Sequence, residues 1–100
     1  MKQTGKRFAQ VNGRVVLPQT VESGKAVVVD GSTIAGIANS DELGDEIEKI
    51  DVNGNLITPG LIDIHTHGAL GHTFNEPTAE AFGVITRENA RRGVTSLLAT

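Results

Sequence analysis

The sequence predicts an α/β chain in two parts: a small antiparallel, sandwich-like β domain over residues 1–57, then the start of a (β/α)8 barrel of the TIM type over residues 58–100. Short apolar runs separated by Gly- and Asn-containing turns fill the first part, which is typical of antiparallel strands. The second part has the order strand, helix, strand, which predicts two parallel strands joined by a right-handed crossover. All three histidines lie in this second part, so the chemistry is expected there.

The composition excludes several classes of function. The chain has 100 residues, a net charge of −3 and no cysteine. This charge does not favour binding to nucleic acid or to an anionic membrane. Three Phe and no Trp or Tyr are too few aromatic residues for a base-stacking platform. Without cysteine there is no disulfide and no thiolate site, so any metal must be held by His, Asp or Glu.

The N-terminal residues show no targeting signal. The stretch Met1–Arg7 is basic, but no apolar run of signal-peptide length follows it. No segment approaches the roughly 20 apolar residues that span a bilayer. We therefore expect a soluble cytoplasmic protein.

The first element of the β part is a strand at residues 7–11. Asn12 and Gly13 follow it, and this dipeptide is a strong signal for a hairpin turn because both residues tolerate positive φ. Residues 14–17 are then expected to form the returning strand, which Pro18 ends.

Three further strands are expected in this part, at residues 26–29, 33–37 and 47–52. Asp30-Gly31 is a hairpin signal between the first two of them, and Asn53-Gly54 is another turn signal. Residues 40–43 open a single helical turn, because Ser and Asp accept hydrogen bonds from free backbone N–H groups. The acidic residues between 41 and 48 are interpreted as a solvated face, so the β part carries no chemistry of its own.

The second part contains a strand, a loop, a helix and a strand, at residues 61–67, 68–76, 79–92 and 94–99. Thr78 is expected to cap the helix N-terminus, with Glu80 close to the positive end of the helix dipole. Gly93 is expected just past the helix C-terminus, where a residue with positive φ commonly stands.

The sequence ends on the second of these strands, without a helix to cover it. A parallel sheet needs cover on both faces, which two strands and one helix cannot supply. A closed (β/α)8 barrel takes roughly 250 residues, against about 40 in this part. We therefore expect these residues to be the start of a longer chain, or a truncated one.

His65 and His67 are the candidate metal ligands. Side chains alternate along a strand, so both imidazoles project to the same side, with Cα atoms about 6.5 Å apart. Each ring can place one nitrogen at roughly 2 Å from a shared ion. They stand at the C-terminal end of the strand, where barrel enzymes build their active sites. The spacing alone is weak support, because two surface or hydrogen-bonded histidines give the same pattern.

Asp63 lies two residues before His65 and shares its side of the strand. Two roles are open for it. Asp63 either accepts the ring N–H of a metal-binding imidazole and so orients it, or forms a buried hydrogen bond at the base of the barrel.

The residues around the histidine pair resemble a known signature. The run from Leu56 to Gly68, Leu-Ile-Thr-Pro-Gly-Leu-Ile-Asp-Ile-His-Thr-His-Gly, is similar to that of the amidohydrolase superfamily. In that superfamily a small β domain, built from both chain ends, precedes a metal-bearing (β/α)8 barrel. The loop at 68–76, Gly-Ala-Leu-Gly-His-Thr-Phe-Asn-Glu, and the segment at 92–96, Arg-Gly-Val-Thr-Ser, resemble the N-acetylglucosamine-6-phosphate deacetylases.

This resemblance implies hydrolysis of the N-acetyl amide of N-acetylglucosamine 6-phosphate, which gives glucosamine 6-phosphate and acetate. It implies one or two divalent metal ions per site that polarise the amide carbonyl and activate water; zinc, iron, manganese and cobalt suit such ligands. The general-base Asp, a Glu and two further His ligands belong to later strands, so no catalytic base is expected within residues 1–100. Some members replace the first histidine pair by Gln and Asn, whereas His65 and His67 are both present here. A homodimer is implied for the full-length enzyme.

Other polar residues of the second part have open roles. His72, in the loop after the first barrel strand, is either a contact to a sugar or phosphate or an exposed loop histidine. Asn75 and Glu76 are expected to cap the loop before Pro77. The helix arginines are expected on its solvated outer face rather than at a phosphate site: Arg87, Arg91 and Arg92.

Two alternatives to the deacetylase remain. One is another amidohydrolase that shares the first strand, such as a cyclic amidase, a deaminase or an amino-acid amidase. The other is an inactive fragment or scaffold with no catalysis. Because residues 1–100 supply two expected histidine ligands and no expected base, this chain alone is expected to be inactive.

Overall fold

The computed structural model describes residues 6–100, so the first five residues of the basic N-terminal stretch lie outside the described residues. The chain forms two compact units, Met1–Pro59 and Gly60–Thr100, called unit 1 and unit 2 below. No helix within residues 6–100 is long and apolar enough to cross a membrane.

Unit 1 is built from short strands in two sheets. Its described elements are β1 Arg7–Val11, β2 Arg14–Val16, β3 Val21–Glu22, β4 Lys25–Asp30, β5 Thr33–Asn39, a 3-10 turn Ser40–Glu42, β6 Glu48–Asp51 and β7 Leu56–Ile57. One sheet has the strand order β5-β4-β1-β6 and the other has the order β3-β2-β7. The expected hairpin between β4 and β5 is confirmed, since Asp30 pairs with Thr33 across its turn.

The prediction of a hairpin at Asn12-Gly13 is wrong. β1 pairs with β4 and β6, whereas β2 pairs with β3 and β7, so the chain passes from one sheet to the other at this point. The turn signal was correct about the backbone, because Asn12 has a φ of 58°. The prediction of purely antiparallel pairing is also wrong, since β1–β6 and β2–β7 are parallel.

Burial explains why β2 leaves the first sheet. Val15 of β2 and Ile57 of β7 pack with Val27 of β4 in one apolar cluster, which joins the two sheets face to face. Val28 points to the opposite side of β4, into a second cluster with Ala9 and Ala26. Fully burying a Val or Ile side chain stabilises a fold by about 1.5–3 kcal/mol. A hairpin partner for β1 would leave Val15 outside the first of these clusters.

Gly13 is needed where the chain changes sheets. A Cβ at this position would lie 2.8 Å from the carbonyl oxygen of Asn55, and as close to the side chain of Ile57. Backbone atoms cannot move away as a flexible side chain can, so only glycine permits this close approach.

Unit 2 contains a βαβ arrangement with a small hairpin inserted. Its elements are β8 Leu61–Thr66, β9 Gly68–Ala69, β10 His72–Thr73, α1 Ala79–Arg91 and β11 Val94–Ala99. β8 and β11 are parallel, as the order strand, helix, strand predicted. The backbone N–H of Thr100 donates to the carbonyl of Thr66, 2.9 Å away, and so extends the pairing beyond the strand ends.

The helix begins where the sequence predicted and ends one residue earlier, at Arg91. Thr78 Oγ1 accepts a hydrogen bond from the backbone N–H of Ala81 at 3.1 Å. Gly93 has a φ of 88°, in the left-handed region that glycine tolerates at a helix C-terminus. On the inner side of the helix, Ala81 and Ile85 are completely buried.

The two-stranded sheet of unit 2 leaves apolar side chains exposed. Ile62 and Ile64 of β8 are 71% and 75% exposed, and Leu98 of β11 is 62% exposed. These three side chains share one face of the sheet, and Leu61, on the other face of β8, is 57% exposed, so neither face is fully covered within this unit.

Candidate functional site

The two imidazoles of the histidine pair lie side by side. The rings of His65 and His67 have centroids 5.0 Å apart and stand nearly perpendicular to each other, at 85°. An ion at about 2 Å from one nitrogen of each ring can bridge such a separation. Both side chains are exposed, so neither is committed to a core contact. The pair therefore fits part of a metal site.

Strand β8 provides this geometry. His65 is inside the strand and His67 comes one residue after its last residue, with Thr66 between them turned to the other side. The N–H of Thr66 donates to Thr100 Oγ1 at 3.2 Å, which ties this strand end to the end of β11. Each histidine thus projects from a backbone that is held by a parallel neighbour.

Asp63 makes a local contact. Its Oδ1 accepts the backbone N–H of His65 at 3.0 Å, within the same strand. The carboxylate is half-buried and retains a second oxygen as an acceptor. This contact holds the Asp63 carboxylate beside the histidine pair.

A tight hairpin follows directly after His67. Strands β9 and β10 pair antiparallel, and the two-residue turn between them has positive φ at Leu70 (50°) and Gly71 (79°). The backbone N–H of Phe74 donates to the carbonyl of His67 at 3.0 Å, so the hairpin folds back onto the end of β8. The ring of Phe74 contacts that of Phe82 in α1, with centroids 5.7 Å apart.

Gly68 is required at the base of this hairpin. It has a φ of 152°, and a Cβ there would collide with the carbonyl oxygen of His72. The hairpin therefore depends on the glycine that comes directly after the His-x-His pair.

His72 is half-buried and paired, not a free loop histidine. Its Nδ1 lies 3.2 Å from Glu76 Oε1, and the second carboxylate oxygen of Glu76 accepts the backbone N–H of Thr73 at 2.7 Å. The N–H of Thr73, and next the ring of His72, lower the pKa of Glu76 below its ordinary value. Glu76 thus caps the loop before Pro77, as expected from the sequence.

The described residues do not complete a metal site. No group of three or more His, Cys, Asp or Glu side chains in residues 6–100 is arranged to hold an ion. The arginines of the helix segment pair locally or face solvent: Arg91 and Arg92 both contact Glu88, at 3.3 and 3.1 Å, and Arg87, like them, is exposed. Their expected place on the outer face of the helix is confirmed.

The sequence does not predict the pairing of His72 with Glu76. The two residues stand four apart, and this spacing indicates only that Glu76 caps the loop. The signal that could have found it is the two-residue turn at Leu70-Gly71. A tight turn there brings β10 back beside β9, after which the chain bends so that the Glu76 carboxylate reaches Thr73.

No family model matches this chain. The chain is 32% identical over 95 residues to N-acetylglucosamine-6-phosphate deacetylase of Haemophilus influenzae, which covers 94% of this chain and 25% of the relative. It is 35% identical over 91 residues to dihydroorotase of Clostridium acetobutylicum, which covers 87% of this chain and 20% of the relative. The crystal structure of N-acetylglucosamine-6-phosphate deacetylase from Pasteurella multocida aligns with a TM-score of 0.87 and 34% identity, over 93% of this chain and 25% of that one.

These matches confirm the resemblance to N-acetylglucosamine-6-phosphate deacetylases that was found in the sequence. The chain spans about a quarter of the length of the deacetylases it matches. Because a dihydroorotase is similar over nearly the same residues, the likeness extends across amidohydrolases with different substrates.

Proposed function

We propose that this chain is the N-terminal portion of a metal-dependent N-acetylglucosamine-6-phosphate deacetylase, which hydrolyses its substrate to glucosamine 6-phosphate and acetate. The observation that supports this most strongly is the pair of adjacent imidazoles at a strand end, in a chain similar to deacetylases over nearly its whole length. Residues 1–57 would be the N-terminal part of the small β domain, and residues 58–100 the first strand, helix and second strand of a (β/α)8 barrel.

The exposed strands of unit 2 support the barrel part of this proposal. β8 and β11 are parallel, and their apolar residues Ile62, Ile64 and Leu98 are mostly exposed. In a closed barrel the inward side chains fill the centre and the outward ones pack under helices. Later strands and helices would therefore cover the surface that unit 2 leaves open.

In this proposal His65 and His67 contribute two nitrogen ligands to a divalent metal, and Asp63 orients one of their rings. The donor set suits zinc, iron, manganese or cobalt, with one or two ions per site. The metal, when bound, polarises the amide carbonyl of the substrate and lowers the pKa of bound water. The general-base Asp and the remaining ligands would come from residues after Thr100. We also propose that the full-length protein is a cytoplasmic homodimer that acts on the sugar phosphate.

The second candidate is a cyclic amidase. The similarity to a dihydroorotase over 87% of this chain favours it, because the same first strand serves both kinds of site. The deacetylase is preferred since the alignment with the Pasteurella multocida structure has a TM-score of 0.87 and includes 93% of the chain.

The test is hydrolysis by the full-length protein that contains these residues, purified with zinc, iron, manganese or cobalt added in turn. We expect acetate release from N-acetylglucosamine 6-phosphate, measured by a coupled assay, and no opening of dihydroorotate. Dihydroorotate hydrolysis without acetate release would replace the deacetylase by the cyclic amidase. If neither compound is hydrolysed with any of the four metals, both candidate functions are refuted and the protein is an inactive scaffold.

A further inference from the structure

The carboxylate of Glu76 is held at both of its oxygens. Oε2 accepts the backbone N–H of Thr73 at 2.7 Å, and Oε1 lies 3.2 Å from Nδ1 of His72. A carboxylate fixed by a backbone donor cannot turn away from the imidazole without losing that bond. The orientation of His72 is thus set by the hairpin backbone through Glu76.

This arrangement determines which ring nitrogen of His72 carries a proton. An ionised carboxylate only accepts hydrogen bonds, so Nδ1 must be the donor. The lowered pKa of Glu76, caused first by the Thr73 N–H, keeps the carboxylate ionised near neutral pH. In the neutral ring Nε2 is therefore the unprotonated nitrogen, which can accept a hydrogen bond. Within residues 6–100 the ring of His72 makes no other hydrogen bond.

His72 also lies close to the proposed metal ligands. It pairs across the hairpin with Ala69, which is two residues after His67. Two residues of strand add about 6.5 Å and the step across an antiparallel pair about 5 Å, so the Cα atoms of His72 and His67 are at most about 12 Å apart. A substrate of monosaccharide size that binds at the metal can extend over this distance.

We propose that Nε2 of His72 accepts a hydrogen bond from a hydroxyl group of the sugar substrate, and that Glu76 is a positioning residue that fixes His72 in the Nδ1–H form. This inference rests on the proposed function, because a sugar phosphate offers hydroxyl donors. A phosphate contact fits less well. A neutral ring presents a lone pair at Nε2, and a protonated ring beside an ionised carboxylate forms a pair without net charge.

The test uses the full-length enzyme and two substitutions that separate the ring nitrogens. The amide of Asn reaches the place of Nδ1, and the amide of Gln reaches the place of Nε2. His72→Asn therefore keeps the contact to Glu76 and loses the contact to substrate. His72→Gln keeps an acceptor for the substrate. Glu80→Gln, which removes the charge of an exposed residue at the start of α1, is the matched control.

We expect His72→Asn to raise KM for N-acetylglucosamine 6-phosphate about 3- to 10-fold, the range for one lost hydrogen bond, with kcat changed less than about 2-fold. His72→Gln and Glu80→Gln should each change KM less than about 2-fold. With monodeoxy analogues of the substrate, one missing hydroxyl should raise KM for the wild type and leave KM for His72→Asn unchanged.

The positioning role is measured separately by the nitrogen chemical shifts of the His72 ring. Near neutral pH we expect a protonated Nδ1 in the wild type, and a shift toward protonated Nε2, with a raised KM, in Glu76→Ala.

Equal KM effects of His72→Asn and His72→Gln would mean that His72 only supports the hairpin, which overturns the inference. A wild type with protonated Nε2 overturns it too. Absence of acetate release by the wild type refutes the proposed function itself, whereas acetate release with an unchanged His72→Asn refutes only this contact.

Discussion

The two units differ in where they bury apolar side chains and where they place ionisable ones. Of the eight buried apolar residues in the described part of the chain, six lie in unit 1 and only Ala81 and Ile85 lie in unit 2. Unit 1 contains no histidine, whereas unit 2 contains all three. Unit 1 thus closes two apolar clusters of its own, while unit 2 carries the candidate chemistry on a strand that it does not cover. Under the proposed function, unit 2 therefore depends on later residues for both its core and its site.

The largest effect should come from testing residues 1–100 alone. We expect no measurable acetate release from N-acetylglucosamine 6-phosphate, with any of the four metals, because His65 and His67 leave an ion short of protein ligands and the proposed general base belongs to later strands. The full-length protein, assayed in parallel, is the control. Turnover by the short chain would mean that unit 2 holds a complete site without later residues.

Within the full-length protein, the next largest effect should come from the histidine pair. His65→Ala and His67→Ala should each lower activity by at least about 100-fold and lower the bound metal, since losing a ligand costs more than losing a supporting contact. Thr66→Val, between them and turned to the other side, is the matched control and should keep the metal. Metal content is measured by elemental analysis; an unchanged metal-to-protein ratio in both alanine variants would remove the ligand assignment.

The sequence was sufficient to predict that His65 and His67 lie side by side, because alternation along one strand decides whether two side chains share a face. It also predicted α1, since Thr78 and Gly93 act on backbone groups within a few residues of themselves. It failed where distant residues decide the outcome. The turn at Asn12-Gly13 has the predicted backbone, but the burial of Val15 with Ile57, 42 residues later, determines the pairing of β2. The contact of Glu76 with His72 likewise depends on a hairpin that was not predicted.

The third prediction concerns the small core of unit 2. Ile85 is completely buried, so Ile85→Ala should lower the free energy of unfolding by about 2–5 kcal/mol, because it removes buried methyl groups and leaves a cavity. Arg87→Ala, exposed on the same helix, should stay within about 0.5 kcal/mol of the wild type. Denaturant unfolding followed by circular dichroism measures both. Equal effects would mean that α1 contributes little to the stability of the chain.

A smaller effect should come from the helix cap. Thr78→Ala removes the oxygen that accepts the N–H of Ala81, and should lower the free energy of unfolding by about 1 kcal/mol. Thr78→Ser keeps this oxygen and should restore most of the loss. If serine were as destabilising as alanine, the methyl group of Thr78, and not its hydroxyl, would be the stabilising part.

The smallest effects concern one exposed carboxylate in each unit. In unit 1, the pKa of Asp51 is lowered first by the side-chain N–H of Asn12, 2.8 Å away, and then by the backbone N–H of Asn53. A lowered pKa in the folded state means that ionised Asp51 stabilises the fold at pH values above its ordinary pKa of 3.8. That stabilisation is lost as the pH falls through the folded-state pKa. Asn12→Ala should therefore raise the pKa of Asp51 toward its ordinary value, whereas Asn55→Ala, which removes an amide that bonds only to Val52, should not.

Glu76 of unit 2 has the opposite order of causes. The backbone N–H of Thr73 lowers its pKa more than the ring of His72 does, and this N–H is kept in His72→Ala. The carboxyl carbon chemical shifts of Asp51 and Glu76 are followed by NMR during acid titration of the variants. Asn12→Ala should move the pKa of Asp51 toward its ordinary value, whereas the pKa of Glu76 should stay lowered in His72→Ala. A return of the Glu76 pKa to its ordinary value in His72→Ala would mean that His72 holds this carboxylate, and that the hairpin backbone does not set the orientation of the ring.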